Sequence, residues 1–101
     1  MCKTEIFADI LKVVSRVTEI PPEDIISDDR REEVVDARSI LACLLYERGF
    51  YIGEIAERLG RTKPSIRYLL SNFEGRCRMR RMAEMNLENV RKQLAKRNDS
   101  L

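Results

Sequence analysis

A run just past the middle of the chain concentrates side chains that carry positive charge or donate hydrogen bonds: Arg61, Thr62, Lys63, Ser65, Arg67 and Tyr68. Side chains of these types reach phosphate oxygens and hydrogen-bonding base edges. A second cluster, Arg76, Arg78 and Arg80, follows closely, and Arg38 stands by itself in an apolar stretch upstream. The other reactive chemistries are poorly served. There is no histidine, which removes the commonest general base and the commonest zinc ligand. Cys2, Cys43 and Cys77 are odd in number and widely spaced, so they supply neither a disulfide framework nor a CxxC metal site. No G-x-x-x-x-G-K-[ST] loop is present. The expectation is a binding protein, not an enzyme, with no metal and no cofactor.

The elements that must position these groups are two short helices joined by a turn. Ile52, Ile55, Ala56 and Leu59 fall at i, i+3, i+4, i+7, and Ile66, Leu69, Leu70 and Phe73 repeat that spacing. Gly60 lies between the two stripes and suits a tight exit from a helix. Thr62 is a good N-cap, and Pro64 falls in a first turn where its missing N–H costs little. The pattern predicts a helix-turn-helix. On its second helix Pro64, Tyr68 and Ser71 point away from the apolar stripe, Arg67 and Asn72 flank them, and Lys63 sits in the first turn. Such a face enters a groove with its N-terminal residues foremost. The plain alternative is a solvated helix face.

The rest of the chain reads as helical too. Its 101 residues are 44% apolar and 36% charged, with three prolines and four glycines. Residues 4–17 form an amphipathic helix that Thr4 can cap. Pro21 and Pro22 stop it and open a short helical turn over residues 22–27. Asp28 or Asp29 can cap the next helix, residues 31–48, which is apolar over more than half its circumference and so expected to be buried on several sides. Arg38 lies near the edge of that apolar arc. Its two readings are a snorkelling or carboxylate-paired side chain and a side chain emerging at a DNA-facing edge. Residues 76–97 make a long basic helix in which Ala83, Leu87, Val90 and Leu94 form a stripe, able to dock on the domain or to pair two copies. The fold class is therefore all-α: a five- to six-helix bundle containing a helix-turn-helix, with a long basic C-terminal helix. The domain division is residues 1–75 and 76–101.

Charge is unevenly placed. Residues 1–60 hold 8 Lys/Arg and 13 Asp/Glu, whereas residues 61–101 hold 11 and 4. The basic half begins at the second helix of the pair, which favours a polyanionic partner. Arg76, Arg78 and Arg80 would then grip phosphates without regard to sequence. No signal peptide is legible and no run approaches the ~20 apolar residues needed to span a bilayer. Free thiols suit a reducing cytoplasm.

Residues 6–73 resemble the C-terminal DNA-binding domain of the bacterial replication initiator DnaA, a Trp-repressor-like helix-turn-helix. The run PPEDIIS, residues 21–27, is similar to that family's V-x-x-E-D-L-L-S. VVDARSILACLL, residues 34–45, looks like its I-V-x-A-R-x-I-A-x-Y-L, and IGEIAERLG, residues 52–60, like its L-x-x-I-G-x-x-F-G. GRTKPSIRY, residues 60–68, falls where the family has G-R-D-H-T-T-V-x-H. The resemblance implies binding to double-stranded DNA, with Arg38 at the position of a groove-reading arginine and Ser65 at that of a phosphate-contacting threonine. Thr62, Lys63 and Pro64 replace the family's base-reading Asp-His-Thr, so the initiator's own box is not implied. These 101 residues are not expected to include that family's ATPase domain. The expected role is sequence-specific DNA binding in transcriptional regulation or replication control, through Arg38, Arg61, Thr62, Lys63, Ser65, Arg67, Tyr68, Arg76, Arg78 and Arg80. The alternative is a protein-interaction module, or a homodimer, using the basic C-terminal helix.

Overall fold

The computed structural model describes residues 2–99. Among them there are six helices and no strands: α1 (Lys3–Thr18), α2 (Pro22–Ile26), α3 (Glu32–Glu47), α4 (Ile52–Leu59), α5 (Lys63–Met79) and α6 (Arg81–Asp99). The expected all-α bundle is the observed one. None of these helices is long and apolar enough to cross a membrane.

α3 is the centre, in contact with every other helix. Its apolar residues are too many for one stripe, and ten of its sixteen residues are buried. Val34, Ala37, Ile40, Leu41, Ala42 and Leu45 are fully enclosed by neighbours on several sides. The helix stops where Gly49 takes a positive φ of 91°. Phe50 then turns inward and is 1% exposed. Two cations bracket its ring: Lys3 Nζ lies 5.3 Å from the centroid and the Arg58 guanidinium 5.7 Å. Lys3 also pairs with Glu54 at 2.7 Å, and Glu54 accepts the Tyr51 N–H at the start of α4. The beginning of α1 is thereby tied to α4.

Three local expectations are corrected. α1 begins at Lys3 with Cys2 in the capping position, so Thr4 lies inside the helix and does not cap it. α3 begins after Arg31, with no side-chain cap of its own; Asp29 instead accepts the Arg31 N–H at 2.9 Å. The division after residue 75 falls inside α5, which runs on unbroken to Met79.

α6 folds back onto α1, α3 and α5. Its stripe is seated there: Ala83 and Val90 are fully buried, Leu94 nearly so, and Leu87 packs against the same core. Of the two arrangements open to this stripe, docking on its own domain is the one observed. Burying a Val- or Leu-sized side chain such as Val90 or Leu94 contributes on the order of 1.5–3 kcal/mol, which helps to hold an otherwise polar helix in place.

Ion pairs reinforce the seat. Arg76 meets Glu32, Arg80 meets Asp36 and Arg91 meets Glu47, each pair 44 residues apart in sequence. A constant separation means that the chain after Arg76 runs alongside α3 in the same direction. Arg97 reaches Asp9 on α1 at 3.2 Å. The acidic first half and the basic second half of the sequence are, in large part, two sides of one internal contact.

Candidate functional site

The helix-turn-helix is built as its residues dictate. α4 ends at Leu59 and Gly60 adopts the left-handed conformation, φ 63°. This lets the Arg61 N–H reach back to the Ala56 carbonyl at 2.8 Å, closing the end of α4. Thr62 is extended, and its hydroxyl accepts the Ser65 N–H at 3.2 Å, which caps α5. Pro64 sits in the first turn of α5. Ile66 and Phe73 are buried, with Leu69 and Leu70 packed on the same core. The register of the helix is therefore fixed, and with it the outward face.

That face carries Lys63, Arg67, Tyr68, Ser71 and Asn72, all exposed. Lys63 lays its alkyl stem over Gly53 of α4; a Cβ there would stand 3.1 Å from Lys63 Cε. Among the described residues neither Lys63 nor Arg67 pairs with a carboxylate. Tyr68 is 68% exposed, and the Asn72 amide donates to the Tyr68 carbonyl at 2.8 Å. Ser65 is half-buried behind the capping turn. Beside Tyr68 and Asn72 opens a groove of about 640 Å³ between α3 and α5, floored by Val35 and Leu69 and bordered by Met79.

Arg38 is not part of this face. It is 3% exposed. Its Nε donates to the Ile25 carbonyl at 2.8 Å, and Nη2 to those of Ser27 at 2.6 Å and Asp29 at 3.1 Å. The side chain is neither snorkelling, nor paired with a carboxylate, nor at a groove-facing edge. It is an internal pin that satisfies carbonyls left over where α2 ends. Burial, and then the neighbouring Arg61, lower its pKa from the ordinary arginine value. Arg61 is also turned inward. Its Nη2 donates to the same Ser27 carbonyl at 2.7 Å, and its Nε is buried without a partner.

The second arginine cluster is largely committed to the fold as well. Asp36, 1% exposed, accepts from Arg80 Nε at 2.9 Å and lies 3.3 Å from Arg76 Nε. Glu32 accepts from Arg76 at 3.0 Å. The hydrogen bond to Asp36 raises the Arg80 pKa further. Arg78 alone of the three points outward, 70% exposed, in an i,i+4 pair with Glu74. Arg76 and Arg80 thus hold the corner between α5 and α6 against α3, in place of the phosphate clamp expected of them. Sequence patterning assigns no role to Asp36, although it stands in the same apolar run as Arg38. An acid in that setting signals a buried partner.

The ten expected residues divide accordingly. Thr62, Lys63, Ser65, Arg67 and Tyr68 share the first two turns of α5 and its cap, whereas Arg38, Arg61, Arg76 and Arg80 are drawn into internal contacts, and Arg78 lies further along α5. Among the described residues no three Cys, Asp or Glu side chains gather as a metal site would need. Comparison with known proteins finds no family model, no curated protein and no solved structure that matches this chain.

Proposed function

We propose that the protein binds double-stranded DNA through α5, in transcriptional regulation or replication control, as a helix-turn-helix related in type to the DnaA C-terminal domain. The observation that carries this reading is the state of Lys63 and Arg67. Most arginines of the basic half are consumed internally, yet these two cations stand unpaired on the outward face of a capped helix, beside Tyr68 and Asn72. Lys63 would meet phosphate at the helix N-terminus, where the dipole favours an anion. Arg67 would read a guanine edge, Asn72 an adenine edge, and Tyr68 would meet backbone or a thymine methyl. Arg38 and Arg61 would act indirectly, by holding the α2–α3 loop in place behind α4.

The test is binding to a pool of random duplexes followed over a salt series by fluorescence anisotropy, with sequencing of the bound fraction. Neutralised phosphates give a fall of log K against log salt of about 0.9 per contact. A steep slope with an enriched sequence is the expected result. A flat slope, or no binding at low salt, would remove the reading.

One observation favours a second reading. Arg81, Lys92 and Lys96 are exposed on the outside of α6. They suit an acidic protein partner. Charge reversal at Lys92 and Lys96 that abolishes capture of an acidic peptide, while leaving duplex binding intact, would establish it.

A further inference from the structure

One residue separates α5 from α6. Arg80 has φ −126° and ψ 103°, and no other described residue from Lys63 to Asp99 leaves the helix. Both of its backbone groups nevertheless already make helical bonds. Its N–H donates to the Arg76 carbonyl at 2.8 Å, and its carbonyl accepts the Glu84 N–H at 3.3 Å. No glycine follows Gly75 and no proline follows Pro64. Arg80 is flanked by Met79, Arg81 and Met82, all good helix formers. The local sequence therefore asks for a continuous helix. The bend is imposed from outside, by Asp36 on Arg80 and Arg76 and by the seating of Ala83, Val90 and Leu94 on α1 and α3.

Turning the two dihedrals of Arg80 to helical values would merge residues 63–99 into one helix about 55 Å long at 1.5 Å per residue. The longest extent of the folded chain is 35 Å. A straightened helix must therefore carry α6 off its own domain. It would bare the stripe on α6 and the apolar seat beneath it together. Only a second copy in the same state offers both halves in matching form. The seat presents Asp9 and Glu47 where α6 presents Arg97 and Arg91, so charge and shape select the same occupant.

We propose that two copies of this chain exchange α6 about Arg80, each laying it on the α1–α3 seat of the other. Exchange of an identical element about a short hinge is an inexpensive route to a dimer, because the packing that α6 gives up within its own chain is rebuilt between the two chains. The dimer carries two outward α5 faces on one rigid pair of helices. It is independent of whether those faces bind DNA.

Charge-swapped partners test it. One variant carries Asp9→Arg and Glu47→Arg; the other carries Arg91→Glu and Arg97→Glu. Within either chain both pairs then repel. In an exchanged heterodimer every pair is restored, with the native sign where the first variant's α6 lies on the second variant's seat and with the reversed sign at the other seat. Sedimentation should find the mixture forming a one-to-one heterodimer, with a dissociation constant about tenfold or more below that of either variant by itself, a difference of about 1.4 kcal/mol. Absence of a mixed dimer would overturn the exchange. Should either variant fail to fold alone, wild type and Arg80→Ala are compared from micromolar to millimolar concentration. Losing the Asp36 anchor and gaining a better helix former should raise the dimer fraction, and two glycines inserted after Arg80 should lower it. If all three stay monomeric throughout, or dimerise equally, the proposal fails.

Discussion

Arg38 and Arg67 sit on helices that touch, and the molecule uses them in opposite ways. Arg38 is enclosed, with its donors spent on the carbonyls of Ile25, Ser27 and Asp29. Arg67 is exposed, on the face of α5 turned from the core. The difference lies in the surroundings, not in the residue. At the end of α2 the backbone leaves acceptors facing inward, and a guanidinium with five donors can satisfy several at once. On α5 every backbone acceptor near Arg67 is used within the helix, so the same group is left to solvent or to a partner. An arginine in a basic protein is therefore not evidence for a polyanion until its carbonyl and carboxylate neighbours are counted.

The largest loss of stability is expected at Arg38. Replacing it with alanine strands the buried Ile25 carbonyl and takes a donor from those of Ser27 and Asp29, and each unsatisfied group costs about 1–3 kcal/mol. We expect Arg38→Ala to lose about 3 kcal/mol or more in urea unfolding, and a loss under about 1 kcal/mol would show that the pin is dispensable. Next comes Asp36→Asn, which leaves Arg76 and Arg80 without their buried counter-charge. About 2 kcal/mol should be lost, less than for a fully enclosed pair because both arginines retain some solvent; equal chevrons for wild type and variant would contradict this.

At the exposed end the effects move from stability to binding. The double variant Lys63→Ala, Arg67→Ala should unfold within about 0.5 kcal/mol of wild type. Its log K against log salt should be shallower by roughly one to two units. An unchanged slope would take both residues off the interface.

The smallest effect concerns acid. Arg91, by its hydrogen bonds, holds the Glu47 carboxyl below its usual value of 4.5. A carboxylate depressed in the folded state adds stability above the unfolded pKa and loses it as pH falls through the folded one. Arg91→Gln should therefore cost no more than about 0.5 kcal/mol at neutral pH, given the solvent exposure of the pair. That gap should shrink as pH falls below 4.5 and through the depressed folded value, and a gap that persisted once the carboxyl is protonated would assign the loss to packing. Thiol labelling sharpens the inner side of the picture. Burial, and then Glu47, push the Cys43 thiol up to about 11, whereas Cys2 is exposed. At about pH 8 a disulfide reagent should modify Cys2 first and Cys43 last.

What could be read in advance follows the range of the forces involved. The α4–turn–α5 unit was legible because Gly60, Thr62 and Pro64 act on their own neighbours. α3 was legible as a central helix because its apolar residues exceed one stripe. The length of α5 was not. Its apolar stripe ends at Phe73 and a separate basic helix is expected from residue 76, but the helix breaks at Arg80, where an acid 44 residues upstream takes hold. The fate of Arg38 was unreadable for the same reason, since its partners are backbone carbonyls contributed by a loop whose path only the fold defines. Of the expected site, the residues governed by helical phase stayed together, and those whose roles depended on distant carboxylates or carbonyls did not.

The cross-chain pairing of charge also bears on the order in which the chain is made. A ribosome delivers residues 1–60 first, with their excess of acids, and the arginines that neutralise Glu32, Asp36 and Glu47 emerge only afterwards. Until then α3 carries a row of uncompensated carboxylates beside an uncovered apolar trough. Like charges at the patch that α6 later covers oppose contact between two chains in that state.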